Sequence, residues 1–178
     1  MQVRQAQSSD VDAIAALFVE VFTQAENAAE GKAIGNLAYA LMTETSKADV
    51  FGFIAVEGEL LIGSIVFTRL IFFDARRAFI LSPVAVHSDY QGKGIGQKLI
   101  KKGIDIMESK GVDLIMTYGD PAFYAKSGFQ TVSEHSIPAP FKLSQPEGWL
   151  GHSLTHDSLK GTTQRVQCVP PLNKAELW

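Results

Sequence analysis

The stretch Leu81-Ser-Pro-Val-Ala-Val-His-Ser-Asp-Tyr-Gln-Gly-Lys-Gly-Ile-Gly-Gln-Lys-Leu-Ile100 constrains the fold more than any other part of the chain. An apolar strand runs into a glycine-rich turn, and the turn opens an amphipathic helix. Gln91, Gly92, Lys93, Gly94, Ile95 and Gly96 place a row of backbone N–H groups at a helix N-terminus, where the first turn has no intrahelical acceptors. Glycines leave those amides sterically open, and the helix dipole adds partial positive charge of about half an elementary unit. Such a site suits a phosphate or pyrophosphate. The plain alternative is a glycine-rich turn that holds no ligand.

Two familiar phosphate motifs fail on spacing. A dinucleotide fingerprint needs Gly-x-Gly-x-x-Gly, but the third position after Gly92-x-Gly94 is Gln97 and after Gly94-x-Gly96 it is Leu99. No acidic residue follows at the end of a second strand, as a ribose contact requires. A P-loop needs a Ser or Thr after its lysine to hold magnesium, and Lys93 is followed by Gly94. What remains, Gln91-x-x-Gly94-x-Gly96 after a Val-Ala-Val strand, resembles the acetyl-CoA-binding motif of the GNAT superfamily of N-acetyltransferases.

The order of elements agrees with that resemblance. A short strand at Gln2–Ala6 precedes an amphipathic helix from Asp10 to about Thr23, with Ile14, Leu17, Phe18, Val21 and Phe22 on one face. Ser8, Ser9 and Asp10 offer its cap. A second helix is expected from Ala28 to Glu44, carrying Ile34, Leu37, Ala38 and Leu41; Gly31 and Gly35 each weaken it by ~1 kcal/mol. Strands at Val50–Val56 and Leu60–Thr68 flank the turn Glu57-Gly58-Glu59. Asp74–Arg77 reads as a polar turn, Phe79–Val86 as a strand, and Gly94–Ser109 as a helix with Ile95, Leu99, Ile100, Ile104 and Met107 inward. Gly111 caps that helix. A buried strand over Val112–Tyr118, a short helix from Ala122 to Ser127 and a returning strand at Gly128-Phe129 complete the pattern.

The fold class is therefore α+β with one βαβ crossover. Over about residues 1–133 it resembles the GNAT fold, a mixed and mostly antiparallel sheet whose central βαβ unit is splayed and flanked by helices. Residues 134–178 are proline-rich and weakly periodic, and are expected to pack on that core as a C-terminal arm within one domain of residues 1–178. Trp149-Leu150 and Val166–Val169 are its candidate strands. A second motif, Gly119-Asp-Pro-Ala-Phe-Tyr-Ala-Lys-Ser-Gly-Phe129, resembles the segment after the fifth strand in this superfamily, in a variant similar to YhbS-like predicted acetyltransferases.

The resemblance implies acetyl-CoA as cosubstrate. Backbone groups of Val84, Ala85 and Val86 are implied to hold pantetheine in the splay between the strand ending at Val86 and the strand ending at Tyr118. Amides from Gln91 to Gly96 are implied to hold the pyrophosphate, with added charge from Lys93 and Lys98. Tyr124 matches the family tyrosine, and a phenol with an ordinary pKa near ~10 keeps a proton to give to the departing thiolate. A backbone N–H at or near Val84 is implied to polarise the thioester carbonyl. No base is named by the residues. The strand Phe79–Val86 holds no carboxylate, and the nearby polar groups are Ser82, His87 and Asp120. His87 reads as a loop residue. Asp120 is open between a proton relay, an orienting contact to Tyr124 and a helix cap, with the cap favoured. Glu26, Glu30 and Ser82 are candidates for holding a cationic acceptor.

Composition narrows the class. The net charge of −3 offers no basic footprint for nucleic acid. Cys168 is the one cysteine, so no intrachain disulfide forms, and it reads as a half-buried apolar residue. His135, His152 and His156 fit no common metal spacing, and no metal is expected. No apolar run approaches the ~18 residues of a membrane span, and the first residues lack the pattern of a secretory signal, so a cytoplasmic setting without membrane partners is expected. The expected activity is N-acetyl transfer from acetyl-CoA to a primary amine, of a small molecule or a protein, by a monomer or homodimer. The competing class is an acyl-CoA-binding module without turnover.

Overall fold

The computed structural model describes all 178 residues. Eight strands and four helices follow one another as β1 (Gln2–Gln5), α1 (Val11–Ala25), α2 (Ala28–Glu44), β2 (Val50–Glu57), β3 (Leu60–Ile71), β4 (Arg77–Val86), α3 (Ile95–Ser109), β5 (Leu114–Tyr118), α4 (Pro121–Ala125), β6 (Gln130–Thr131), β7 (Trp149–Ser153) and β8 (Gln167–Cys168). The strands form one mixed sheet in the order β1-β2-β3-β4-β5-β7-β6, with β8 paired to β3. β4 and β5 are parallel, whereas β1–β2, β3–β8, β5–β7 and β6–β7 are antiparallel. The α+β class and the crossover through α3 are as the sequence implies. No helix is long and apolar enough to cross a membrane.

The chain clusters into two compact units, one of Met1–Phe67 with Pro83–Gly103 and one of Thr68–Ser82 with Ile104–Trp178. Residues 134–178 supply β7, which stands between β5 and β6, and β8, which pairs β3. Trp149 and Leu150 of β7 are fully buried, so this stretch contributes to the second unit's core.

In the first unit, Ile14, Leu17, Phe18 and Val21 of α1 pack with Ala38 of α2, Ile54 of β2 and Ala85 of β4. Burying each large side chain stabilises by about 1.5–3 kcal/mol. The glycines of α2 act opposite to the sequence expectation. A Cβ on Gly31 would lie 2.0 Å from Thr23 Oγ1 and 2.5 Å from the Val19 carbonyl, and one on Gly35 would lie 2.3 Å from Val19 Cγ2. The missing side chains let α1 and α2 touch backbone to backbone. Asn27 caps α2 by accepting from the Glu30 N–H at 3.0 Å. Near the start of α1 a 3-10 turn over Ser8–Asp10 intervenes. There Asp10 accepts from the Gln7 N–H at 2.7 Å and pairs with Arg4 at 2.7 Å, so Asp10 is the acidic member of the cap.

The second unit is tied by Arg76, at the end of the polar turn the sequence suggests. Its guanidinium is buried, lies over the Phe72 ring and donates to Asp74 and to the carbonyls of Ser158 and Lys160. Asp113 accepts from the Arg77 N–H at 2.8 Å, fixing the start of β4 against the entry to β5. The parallel register then runs from Ala78↔Leu114 to Leu81↔Thr117.

Candidate functional site

The glycine turn of the first unit is built from both sides. Val84 and Val86 are half-buried while Pro83 and Ala85 are buried, the alternation of a strand with one packed face. The His87 N–H donates to the Ile62 carbonyl at 2.9 Å, and a 3-10 turn over Ser88–Tyr90 follows. Gly92 and Gly94 stand at φ +73° and +75°, where a side chain is strained, and a Cβ on either would meet nothing within 4 Å. These two glycines are demanded by backbone conformation, and the space beside them is open. Below the loop α3 seats closely. A Cβ on Gly63 of β3 would lie 2.8 Å from Leu99, and one on Gly103 would lie 2.5 Å from Phe67. All five residues expected inward on α3 are buried.

The amides of Gly92, Gly94, Ile95 and Gly96 precede the first helical bond, Lys98 N–H to Gly94 O at 3.1 Å, and have no intrahelical acceptor, whereas the Lys93 amide lies on the turn over Gln91-Gly92. Gln91 departs from the expectation. Its N–H donates to Ser88 O at 3.3 Å, because the preceding 3-10 turn closes on it, and its Nε2 donates to Val86 O at 3.0 Å. Gln91 is a brace for the loop, and the row begins at Gly92. Lys93 is also engaged, with Nζ 2.9 Å from Asp89 O and 4.7 Å above the Tyr90 ring. The Tyr90 phenol is held above its ordinary pKa, first by its hydrogen bond to Glu57. Open N–H groups at the positive end of a fifteen-residue helix can bind a polyanion without any cationic side chain.

The other candidate residues of the first unit are less organised. Glu26 is exposed at the end of α1, and Glu30 is exposed in the first turn of α2, where a carboxylate favours the helix dipole.

In the second unit Tyr124 is buried on α4, edge-on to Phe123 and Phe129. Burial pushes its phenol pKa up, a hydrogen bond with Thr117 pulls it down, and the Asp120 charge adds to the rise. The net direction is upward, so the proton is firmly held at neutral pH. Thr117 is itself fixed by donating to Leu81 O at 2.8 Å. A Cβ on Gly119 would lie 2.8 Å from the Tyr124 ring, so this glycine makes room for the phenol. Asp120 accepts from the Ala122 N–H at 2.9 Å, the helix cap that the sequence favoured. Ser82 is half-buried on β4. The Cys168 thiol is pushed up to about 11 by burial.

The matching family model, described as "Acetyltransferase (GNAT) domain", covers residues 2–132. The chain belongs to the GNAT acetyltransferase family. Among its curated relatives is YjhQ of Escherichia coli K12, an uncharacterized N-acetyltransferase, 31% identical over 116 residues and covering 62% of this chain and 64% of YjhQ. YhbS of the same strain, also an uncharacterized N-acetyltransferase, is 29% identical over 94 residues, covering 53% of this chain and 56% of YhbS. The matched stretch thus spans less than two thirds of either relative. Among solved structures, E. coli YhbS in complex with CoA superposes with a TM-score of 0.83 at 24% identity, over 97% of this chain and 92% of that one. A GNAT family acetyltransferase from Brucella melitensis in complex with acetyl-CoA gives 0.75 at 20% identity, over 96% and 97%. At these identities the structural likeness is one of fold.

Proposed function

We propose that the chain transfers an acetyl group from acetyl-CoA to a primary amine by direct attack, on a small molecule or a protein and in the cytoplasm. The row of amides from Gly92 to Gly96 at the start of α3 carries this reading. CoA and acetyl-CoA in the two superposing family structures support it. In this reading the amides hold the pyrophosphate, and the backbone of Val84–Val86 holds pantetheine as an added strand would be held. The Val86 carbonyl already accepts from Gln91, so the pantetheine bonds fall to the remaining backbone groups of the segment. A backbone N–H at or near Val84 polarises the thioester carbonyl.

The amine nitrogen bonds to the carbonyl carbon, and the carbon–sulfur bond breaks. Tyr124 gives its proton to the leaving thiolate, and the proton of the attacking amine leaves to water. Cys168 takes no part, since a thiol held near 11 is protonated at neutral pH. Glu26 and Glu30 are the carboxylates proposed to attract a cationic acceptor. Ser82 and Asp120 are the remaining polar candidates, Ser82 for the acceptor and Asp120 for a proton relay.

One observation favours a second reading, in which the domain binds acyl-CoA without turnover. β4 carries no carboxylate to serve as base. A free-thiol release assay with a panel of amines decides between the two. Amine-dependent thiol release establishes the transferase. Tight acetyl-CoA binding with no release across small amines and peptide termini establishes the binding module.

A further inference from the structure

His87 stands where three elements of the first unit meet the anion loop. Its N–H donates to Ile62 O of β3 at 2.9 Å, and its carbonyl accepts from the Tyr90 N–H at 2.8 Å. Both ring nitrogens are also used. Nδ1 accepts from the Asp89 N–H at 3.3 Å, capping the 3-10 turn, and Nε2 lies 3.2 Å from Glu20 Oε1 of α1. A ring that accepts at Nδ1 carries its proton at Nε2, facing the carboxylate, so one tautomer satisfies both contacts. The next residue, Ser88, bonds Gln24 one turn further along α1. Tyr90 packs edge-on to the imidazole with centroids 5.7 Å apart. Immediately beyond, Gln91 ties back to Val86 and the amide row begins.

We infer that His87, through Glu20, is a positioning residue for the cofactor: it anchors the Ser88–Tyr90 turn to α1 and so holds the amides of Gly92–Gly96 in place. The inference rests on the acetyl-CoA reading for its kinetic consequence, though not for its structural one. Several donors bind one anion well only when their directions are set before it arrives, because ordering the loop during binding costs affinity. The glycines at φ +73° and +75° make this loop easy to reorder, so its direction must come from the flanking turn. The imidazole touches no reacting atom in this scheme. Its loss should act on cofactor affinity and leave the chemical step alone.

The test compares His87→Ala, His87→Asn and Glu20→Ala. Asn keeps an acceptor for the turn's N–H, as at a helix N-cap, and gives up only the contact to Glu20. Backbone amide exchange is read first, without cofactor. His87→Ala should speed exchange at Asp89, Tyr90 and Gln91 by tenfold or more, His87→Asn by less than threefold, and exchange in α2 should not change. Equal protection in His87→Ala and the parent overturns the positioning claim, whatever the protein binds. Calorimetry and steady-state kinetics follow. His87→Ala should raise the Kd and KM for acetyl-CoA about tenfold, Glu20→Ala by a smaller factor, with kcat at saturation and the acceptor KM within twofold of the parent. A fall in kcat at unchanged acetyl-CoA KM overturns the inference by placing His87 in the chemistry. If the parent binds no acetyl-CoA, the proposed function fails, and the exchange measurement still decides the role of His87.

Discussion

Gly94 separates backbone conformation from ligand electrostatics. It stands at φ +75°, and a Cβ there meets nothing within 4 Å. Any L side chain costs roughly 1–2 kcal/mol of conformational strain and no steric clash. For a chain of this length, about 1 kcal/mol corresponds to roughly 2–4 °C in Tm. Gly94→Gln and Gly94→Glu should therefore melt within a degree or two of each other, several degrees below the parent. The pair differs only in charge. If the amides of Gly92–Gly96 hold a pyrophosphate, the glutamate carboxylate lies beside it. Two like charges about 4–5 Å apart at an effective dielectric near 20 repel by roughly 3–4 kcal/mol, and salt and side-chain movement remove part of that. Every 1.4 kcal/mol is about tenfold in affinity. Calorimetry with acetyl-CoA should show Gly94→Glu weaker than Gly94→Gln by about ten- to a hundredfold, with the gap narrowing as salt is raised. Equal affinities for the two variants, at equal stability, would show that no anion sits against this turn.

Tyr124→Phe keeps the ring packing and deletes the proton; turnover should fall by about a hundredfold, the lower end for general acid catalysis, with acetyl-CoA affinity unchanged. Collapse of affinity instead would make Tyr124 a binding or packing residue, and intact turnover would remove it from the mechanism. Gly31→Ala gains about 1 kcal/mol of helix propensity but drives a methyl into Thr23 and the Val19 carbonyl, so a chemical melt should show net destabilisation of about 2 kcal/mol. A stabilised variant would mean that α1 and α2 are not held at that separation. The hydrogen bond from Arg4 lowers the Asp10 pKa below its ordinary value. That pair stabilises the fold above an ordinary Asp pKa of about 4, and its contribution is lost as pH falls through the lower folded value. Arg4→Met should therefore lower Tm at pH 7 but leave it little changed below that range.

Local signals made most of this architecture readable. The spacing of Ile95, Leu99, Ile100, Ile104 and Met107 marks the buried face of α3, since burial of a helix face is written in its own period. The bounds of α2 match the structure, although its glycines read as weaknesses. Propensity sees only the helix itself, whereas the reason for Gly31 and Gly35 is a neighbouring backbone. The same limit hid the pairing of β7. Trp149-Leu150 reads as a short strand, but nothing local says that it pairs with Tyr118-Thr117 on one side and Thr131 on the other. Arg76 read as a turn residue because its carbonyl partners lie 82 and 84 positions away. At the site, the glycine spacing marked a turn opening a helix, with Gly92 and Gly94 at positive φ. That Gln91 braces the loop and His87 anchors it depends on side chains reaching Val86, Asp89 and Glu20, which no spacing rule encodes.

The central claim is that the amides of Gly92–Gly96 are the cofactor's pyrophosphate cradle, and a titration of ¹⁵N-labelled protein with acetyl-CoA reads those amides one by one. Gly92, Lys93, Gly94, Ile95 and Gly96 should show the largest downfield amide-proton shifts in the first unit, saturating together at one Kd. The Gln91 amide, already bonded to Ser88, should move less. Saturable binding with those five resonances unmoved would contradict the account.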